Sequence, residues 1–285
     1  MKAALIGYGI AKSLTPEMHM AEAQAQGFVY DYQRFDTATA EFNSMTLPQI
    51  LDKAQSEGLA GVNVTYPFKR AATEQMDELS DTARQLGAVN TVLFKDGQRI
   101  GHNTDYVGFR SALRGAPAMT LIQNVLLVGA GGAGGAVALA LIDQGCENLF
   151  IFDQRPSAAQ ELAERIRCAR PREMVRRIEA LSQSELVGMN GVVNATPMGM
   201  ASHPGMAVDP AMLNPACWVA DIVYFPRQTA LLQAAQARRL RTLDGSGMAV
   251  FQAAAAFHLI TGRVALARRM FNSFDGLVPQ EEVPA

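Results

Sequence analysis

The sequence predicts an α/β protein of two domains, each with a mainly parallel sheet between layers of helices. Three observations support this prediction. The chain has 285 residues, enough for about two domains, with the 49% hydrophobic and 18% charged content of an ordinary globular protein. Segments typical of strands alternate with segments typical of helices in both halves of the chain. A glycine-rich turn separates a strand from a helix near the middle of the chain.

Strand and helix signals alternate from the N-terminus to residue 105. Thr15 and Pro16 indicate the N-cap and the first position of a helix, and Gly27 closes that helix. Asp96 and Gly97 form the turn signal of a hairpin. In chain order, the predicted elements are a strand over 2–7, a helix over 17–26, a strand over 29–36, a helix over 47–57, a strand over 60–65, helical pieces around 69–86 and the hairpin over 90–105.

A second alternating series follows residues 114–123, a segment with Gly and Pro that we predict to be the domain boundary. Residues 165–177 are the most basic run, and we interpret them as the solvated face of a helix and its exit loop. The other predicted elements are strands over 124–129, 148–153, 191–196, 217–224 and 241–245, a helix over 136–145 and a buried helix face over 252–260.

Charge, cysteine content and hydropathy argue against several classes of protein. The net charge of −2 and the lack of a dense Lys/Arg cluster argue against a nucleic-acid partner. Cys146, Cys168 and Cys217 have no metal-type spacing, and neither do the histidines, so we expect no metal and a reducing, cytoplasmic location. The N-terminal apolar run lacks a signal-peptide cleavage site. Residues 125–142 carry no charge, but their glycines favour a strand, a turn and a helix over a membrane span.

The glycine-rich turn satisfies G-x-G-x-x-G at Gly129, Gly131 and Gly134, between a predicted strand and a predicted helix. The next strand ends in Asp153, 19 residues beyond Gly134. Together these features form the fingerprint of a dinucleotide-binding Rossmann unit. The glycines let the backbone approach a pyrophosphate, the helix N-terminus offers unpaired N–H groups, and the carboxylate accepts from ribose hydroxyls. The alternative is a glycine-rich turn in an α/β protein that binds no nucleotide.

The stretch "GVNVTYPFKR", residues 61–70, places Lys69 just after a predicted buried strand and a proline-containing turn. Side chains at the end of such a strand lie at the rim of the sheet, where open α/β folds bind ligands. Two interpretations remain open on the residues alone. Lys69 is either a catalytic acid/base or a solvated charge at the start of a helix.

The chain resembles the shikimate/quinate dehydrogenase family over nearly its whole length. The motifs that carry the resemblance occur in the family's order: "SLTPEMH", "GVNVTYPFK", "LGAVNTV", "GHNTDYVGF", "GAGGAGGA", "VVNATPMGM", "VADIVYFP" and "LDGSGMAVFQAA". The resemblance implies an N-terminal α/β/α catalytic domain over 1–114 and a Rossmann NAD(P)-binding domain over 115–247. It also implies that the C-terminal helices, about 248–285, pack back on the first domain. Members oxidise a ring hydroxyl of a cyclohexane or cyclohexene carboxylate with NAD or NADP.

The resemblance also implies roles for individual residues. Lys69 matches the family's catalytic lysine and Asp105 its partner, which suits a reaction in which a base must take the hydroxyl proton. Ser13 and Thr15 match the hydroxyls that hold the substrate carboxylate. Further substrate positions are Asn63, Thr65, Asn90, Tyr224 and Gln252. Positions implied for the cofactor are Gly129, Ala130, Gly131, Gly132, Ala133, Gly134, Asp153, Arg155, Thr196, Met198, Val223, Gly245 and Met248.

Two departures from the common family pattern bear on specificity. Thr15 stands where NADP-dependent shikimate enzymes typically have Ser, and it resembles the branch that also oxidises quinate. Asp153 would bond a 2′-hydroxyl and repel a 2′-phosphate, although Arg155 could partly accommodate that phosphate. We therefore expect an NAD-dependent quinate/shikimate dehydrogenase, monomeric or homodimeric, acting on a small cyclic hydroxy acid. The alternatives are an NADP-dependent biosynthetic shikimate dehydrogenase, a non-catalytic dinucleotide-binding sensor, or an enzyme for a related compound such as an amino-shikimate analogue.

Overall fold

The computed structural model describes residues 1–116, 119, 122–172 and 174–277. The chain divides into two compact units. The first unit comprises residues 1–104 and the residues from 252 onward, and the second unit comprises residues 105–251. The segment predicted as the domain boundary, 114–123, includes 117, 118, 120 and 121, which lie outside the described residues, as does the end of the chain, 278–285.

Strands and helices alternate along the described chain. The first part contains β1 (Lys2–Gly7), α1 (Thr15–Ala25), β2 (Asp31–Asp36), α2 (Leu47–Ser56), β3 (Gly61–Val64), β4 (Glu78–Leu79), α3 (Asp81–Leu86), β5 (Thr91–Lys95) and β6 (Gln98–His102). The rest contains α4 (Thr104–Arg114), β7 (Asn124–Val128), α5 (Gly132–Asp143), β8 (Asn148–Phe152), α6 (Pro156–Ala169), β9 (Met174–Arg177), α7 (Gln183–Leu186), β10 (Gly191–Asn194), β11 (Trp218–Asp221), α8 (Ala230–Ala237), β12 (Arg241–Leu243), α9 (Ser246–Thr261) and α10 (Ala267–Leu277).

The sheet of the first unit has the strand order β2-β1-β3-β5-β6-β4. β1 is parallel to β2 and β3, whereas β5 is antiparallel to both β3 and β6. The predicted hairpin is confirmed, because β5 and β6 are joined by Asp96 (φ 51°) and Gly97 (φ 79°), the left-handed conformations of a tight hairpin turn. The apolar side of α2, including Ile50 and Leu51, packs with the sheet into one buried cluster.

The C-terminal helix α10 is fixed to α1 by a buried carboxylate. Both oxygens of Glu22 accept hydrogen bonds from Arg269 (2.7 and 2.8 Å), and Oε1 also accepts from the backbone N–H of Leu266 (2.9 Å). Burial opposes ionisation of Glu22, but these donors hold its pKa below its usual value. The predicted return of the C-terminal helices to the first part of the chain is thus present within the first unit.

The sheet of the second unit is parallel throughout, with the strand order β12-β11-β10-β7-β8-β9. The order reverses between β7 and β10. In open parallel sheets, ligands bind outside the carboxyl ends of the strands at this reversal. The glycine-rich turn follows β7 directly, so the fold places it at the position where a dinucleotide would bind.

Three local predictions need correction. Leu14, not Thr15, is the N-cap of α1, because proline is tolerated throughout the first turn and Pro16 occupies its second position. Helix α5 begins at Gly132, four residues before the predicted start, because the glycine-rich segment 132–135 forms its first turn. The predicted exit loop after α6 contains edge strand β9, and residue 173 lies outside the description. Only Val175 of that strand is buried, so the sequence lacks an apolar alternation there.

No helix in the described part of the chain has the length and apolar content needed to cross a bilayer. The uncharged run over 125–142 instead forms β7, the glycine turn and α5. This agrees with the prediction of a strand, a turn and a helix.

Candidate active site

The glycine-rich turn after β7 has little room for side chains. Gly129 has φ 105°, a conformation that favours glycine, and an added Cβ would lie 2.8 Å from the carbonyl oxygen of Ala195. A Cβ on Gly134 would lie 2.1 Å from the carbonyl oxygen of Gly129, so α5 could not pack this closely with any side chain there. A Cβ on Gly131 would meet no atom within 4 Å. The turn is therefore packed on its inner side and open at Gly131, where a ligand could approach the backbone of the turn.

Asp153 follows β8 and interacts with this turn. Its Oδ2 accepts a hydrogen bond from the backbone N–H of Ala130 at 2.8 Å, and its Oδ1 accepts from the backbone N–H of Arg155 at 2.8 Å. The Arg155 guanidinium lies 3.8 Å from Oδ1, and its side chain is 75% exposed. The carboxylate is thus held beside the glycine turn, and the one cation beside it in the described structure is solvated. The remaining lone pairs of the carboxylate suit hydroxyl donors.

Two loops at the carboxyl ends of β10 and β11 contain three of the other predicted cofactor residues. The side chain of Thr196 accepts from the backbone N–H of Met198 at 3.1 Å and donates to Asn194 Oδ1 at 2.7 Å. The backbone N–H of Val223 donates to Asp221 Oδ1 at 3.0 Å. Burial raises the pKa of Asp221 to about 6, against the lowering effect of its hydrogen-bond donors.

The end of β12 approaches the loop after β11. A Cβ on Gly245 would lie 2.5 Å from the carbonyl oxygen of Ile222, so this approach requires glycine. Met248 is buried in the first turns of α9, and Tyr224 is partly exposed. In the glycine turn, Gly132 and Ala133 form the half-buried start of α5. The predicted cofactor residues of the second unit therefore all lie at the carboxyl edge of its sheet or in the segments that follow that edge.

Ser13 lies in the loop between β1 and α1, and Thr15 follows as the first residue of α1. The loop is held by Asp36, the last residue of β2. Asp36 Oδ1 accepts from the backbone N–H of Gly9 (2.7 Å) and Oδ2 from that of Ile10 (2.9 Å). The carbonyl oxygen of Ile10 then accepts from the N–H of Ser13 (2.9 Å). Ser13 is half-buried and Thr15 is buried at the start of α1. The two hydroxyls therefore lie on a fixed backbone, that of Ser13 in the loop and that of Thr15 at the start of α1.

Asn63 on β3 is buried and most of its hydrogen-bonding capacity is used within the first unit. Its Oδ1 accepts from the hydroxyl of Tyr32 at 2.7 Å, and its Nδ2 donates to the carbonyl oxygen of Asn90 (3.2 Å) and to Thr91 Oγ1 (2.9 Å). Burial raises the pKa of Tyr32 well above its usual value, so the hydroxyl keeps its proton and donates. Because both amide protons are engaged, Asn63 could only accept from a ligand hydroxyl.

Asn90 connects β5 to the start of α4. Its Oδ1 accepts from the backbone N–H of Thr104 at 2.7 Å, and Thr104 Oγ1 lies 2.9 Å from Asn90 Nδ2 and 3.4 Å from Gln252 Oε1. The structure thus brings three of the predicted substrate residues, Asn63, Asn90 and Gln252, into one polar network of the first unit. Asp105 is the next residue in the chain after Thr104 and is buried.

Lys69 lies in the turn that follows β3 and is half-buried. Its carbonyl oxygen accepts from the backbone N–H of Val89 at 2.8 Å, and Val89 directly precedes Asn90. Thr65, at the start of the same turn, is also half-buried, and its backbone N–H donates to Ile6 of β1 at 2.9 Å. The lysine therefore extends from a backbone fixed to the polar network of the first unit. Among the described residues, no cluster of His, Cys, Asp and Glu side chains could hold a metal ion.

Known proteins of similar sequence identify the family. A family model described as the shikimate dehydrogenase substrate binding domain matches residues 5–92. A quinate/shikimate dehydrogenase (NAD⁺) of Corynebacterium efficiens is 47% identical over 95% of this chain and 96% of its own length. A shikimate dehydrogenase (NADP⁺) of Pseudarthrobacter chlorophenolicus is 41% identical over 99% of this chain and 96% of its own. The chain belongs to the shikimate/quinate dehydrogenase family.

A solved structure of a family member agrees with this assignment. Quinate dehydrogenase from Corynebacterium glutamicum, in complex with NAD, matches with a TM-score of 0.92 and 43% identity, over 97% of this chain and 99% of the other. The enzymes of this family are oxidoreductases that act on small cyclic hydroxy acids. The predicted fold class, family and type of enzyme are thereby confirmed.

Several residues that organise the site were not predicted from the sequence. Asp36 had a recognisable signal, because it is the acid at the end of the second strand of the first unit, as Asp153 is the acid just after the second strand of the second unit. Tyr32 and Thr104 had none, since their importance depends on contacts with Asn63 and Asn90 that are distant in the chain. Asn194 and Asp221 lie in segments that the sequence predicts as strands, and their contact across β10 and β11 follows only from the register of those strands.

Proposed function

We propose that this enzyme catalyses the reversible, NAD-dependent oxidation of the ring hydroxyl of quinate or shikimate to the corresponding 3-dehydro compound. The observation that carries the proposal is the Asp153 carboxylate, held beside the glycine turn by Ala130. A carboxylate at this point accepts from the two hydroxyls of an adenosine ribose and repels a 2′-phosphate. The relative from C. efficiens is named for NAD⁺, which supports the same choice.

The second unit fits a dinucleotide by its own geometry. Gly131 is open to an approaching pyrophosphate, and the first N–H groups of α5 point to the same place. NAD, when bound, supplies the acceptor for the hydride that leaves the substrate carbon. The residues of the second unit then have three tasks, which are to bind the pyrophosphate at Gly129–Gly134, to hold the adenosine ribose at Asp153, and to exclude water through the loops that contain Thr196, Met198 and Val223.

In the proposed site, Lys69 receives the proton of the reacting hydroxyl, directly or through a water. A lysine amine is ordinarily protonated at neutral pH, so the step requires the neutral amine or such a relay. Asp105 accepts a hydrogen bond from the same substrate and fixes its orientation. Ser13 and Thr15 donate to the substrate carboxylate. Asn63, Thr65, Asn90 and Gln252 bind the ring hydroxyls, and neutral groups suit them because an unpaired buried hydroxyl costs about 1 to 3 kcal/mol. The family resemblance also assigns Tyr224 to the substrate.

The second candidate is an NADP-dependent shikimate dehydrogenase. The exposed guanidinium of Arg155, 3.8 Å from Asp153, favours it, because this side chain could turn toward a 2′-phosphate. The relative from P. chlorophenolicus is named for NADP⁺. The proposal assigns substrate binding to a domain of residues 1–114 with about 248–285, and cofactor binding to residues 115–247. It also includes a cytoplasmic location and a monomeric or homodimeric state.

A four-way kinetic panel tests the proposal. Initial rates with quinate and with shikimate are measured against NAD and NADP at saturating acid, and kcat/KM is compared. The expected result is turnover of at least one of the acids with a higher kcat/KM for NAD. A higher value for NADP would support the second candidate. A protein that binds a dinucleotide but turns over neither acid would be a sensor or an enzyme for another compound.

A further inference from the structure

Asn194 and Asp221 end two neighbouring strands of the second unit. They are register partners in the parallel pair β10 and β11, and they are 0% and 1% exposed. Asn194 Nδ2 donates to Asp221 Oδ1 at 2.9 Å. Polar groups this deeply buried are costly unless their hydrogen-bonding capacity is used. The groups that use this capacity therefore indicate what the pair does.

The remaining hydrogen bonds of Asn194 go to the loop after β10. Its Oδ1 accepts from the backbone N–H (3.0 Å) and the hydroxyl (2.7 Å) of Thr196, and its Nδ2 donates to the carbonyl oxygen of Met198 at 2.9 Å. Together with the bond to Asp221, all donors and acceptors of this amide are used. A single side chain thus fixes the backbone of two residues in the loop.

The remaining hydrogen bonds of Asp221 go to the segment after β11. Its Oδ1 accepts from the backbone N–H of Val223 (3.0 Å), and its Oδ2 accepts from the hydroxyl of Thr229 (2.8 Å), the N-cap of α8. The two loops also touch, because a Cβ on Gly199 would lie 3.2 Å from Thr229 and 3.6 Å from Asp221 Oδ2. The pair is the point at which both loops are joined.

These loops lie on the β10–β12 side of the strand-order reversal, whereas the glycine turn and Asp153 lie on the β7–β9 side. A Rossmann sheet binds one mononucleotide half on each side of the reversal. We infer that Asn194 and Asp221 are positioning residues that hold the two loops in the shape that binds the nicotinamide half of NAD. This inference rests on the proposed function.

A role confined to fold stability would make a different prediction. Burial raises the pKa of Asp221 to about 6, although its three hydrogen-bond donors act to lower it. Because this pKa is below 7, the carboxylate is mostly ionised at neutral pH. Asp221→Asn has nearly the same shape but turns one acceptor into an N–H that faces donors. The loops should shift, while the glycine turn and Asp153, on other strands, should not. A purely structural residue would weaken all dinucleotide fragments alike or none.

Calorimetric titration with NAD and with ADP-ribose, which lacks the nicotinamide, separates these cases. In Asp221→Asn and in Asn194→Ser, the Kd for NAD should rise by about tenfold or more, while that for ADP-ribose should stay within about twofold. Asp209→Asn, the same substitution at an exposed acid of the same unit, should change neither. Trp218, the single tryptophan, is buried on β11, and unchanged emission would show that the strand is intact. Equal weakening of both ligands, or no weakening, in a folded variant would overturn the inference.

Hydrogen exchange of the unliganded wild-type enzyme provides a test that needs no variant. The amide protons of Thr196, Met198 and Val223 should exchange slowly, because side-chain oxygens hold them before any ligand binds. Rapid exchange at all three would overturn the positioning role. Wild-type protein that bound neither NAD nor ADP-ribose would instead contradict the proposed function, and the inference with it.

Discussion

The carboxylate of Asp153 accepts a hydrogen bond from the backbone N–H of Ala130 at 2.8 Å. This bond joins the end of β8 to the glycine-rich turn after β7. The residue proposed to choose between NAD and NADP therefore also stabilises the turn proposed to bind the pyrophosphate. Different substitutions of Asp153 should therefore distinguish the effect of its charge on the choice of cofactor from the effect of its hydrogen bond on the turn.

For Asp153, we expect replacement by Ser to lower kcat/KM with NAD and to raise kcat/KM with NADP. The ratio of kcat/KM with NAD to kcat/KM with NADP should fall by about tenfold or more, which corresponds to roughly 1.4 kcal/mol. Asp153→Asn is the matched variant, because it removes the charge but keeps an oxygen for Ala130. It should relieve the repulsion of NADP with a smaller loss of NAD affinity than Ser causes. Kinetics with both cofactors check this. A wild-type preference for NADP would refute the assignment.

For Lys69, we expect replacement by Ala to lower kcat by a factor of about 10² to 10⁴, the range for a positioned acid/base group. The Kd for NAD should change little, because the glycine turn and Asp153 belong to the other unit. Small primary amines added to the assay should restore part of the rate. Arg70→Ala, at the exposed next position, should retain activity. A folded Lys69→Ala enzyme with near wild-type kcat would leave Lys69 as a solvated charge after a strand.

For Ser13, we expect replacement by Ala to raise KM for the cyclic acid with a smaller effect on the Kd for NAD. The change removes a hydroxyl that the proposal places on the substrate carboxylate, while the loop backbone stays fixed by Asp36. Ser56→Ala, at the exposed end of α2, is the control. If KM for quinate and for shikimate were unchanged in Ser13→Ala, this residue would have no part in binding.

For His19, we expect a pH-dependent loss of stability. Burial lowers its pKa to about 3, from an ordinary value of 6.5. Below pH 6.5 the unfolded histidine binds a proton and the folded one does not, so stability contributed by the neutral ring falls as pH drops from 6.5 towards 3. The free energy of unfolding should decrease by about 1.4 kcal/mol per pH unit from this residue, or roughly 2 kcal/mol at pH 5.

Urea unfolding of wild type and of His19→Gln between pH 5 and 7.5 measures this dependence. In the variant, the free energy of unfolding should lose the part of its pH dependence that comes from His19, whatever its value at pH 7.5. Burial of Asp221, whose pKa is raised, acts in the opposite direction between about pH 4 and 6, because there the folded state binds the additional proton. His203→Gln, at an exposed histidine, should keep the wild-type slope. Identical slopes in wild type and His19→Gln would contradict the prediction.

The sequence was sufficient to predict features that depend on local chemistry. The hairpin at Asp96 and Gly97 and the strand ending before Asp153 follow from turn residues and from apolar runs. β9 could not be predicted, because an edge strand with one buried residue has no apolar period. The links from Tyr32 to Asn63 and from Asn194 to Asp221 join residues about 30 positions apart in the chain. These two contacts arise from the order and register of the strands in each sheet, which residues close together in the chain do not specify.

Glu22 has a consequence for the order in which the protein is completed during synthesis. Its fully buried carboxylate is bound by Arg269 and Leu266, which belong to the last part of the first unit. The whole second unit lies between Glu22 and these two residues in the chain. At ordinary translation rates, residues 105–269 take roughly 10 to 30 s to make. During that time Glu22 of the nascent first unit lacks its cation, whereas the last strand of the second unit, β12, is made before Leu266 and Arg269. We therefore expect the ribosome-bound chain to complete its second unit before its first, and chains that end before α10 to be protease-sensitive in their N-terminal part.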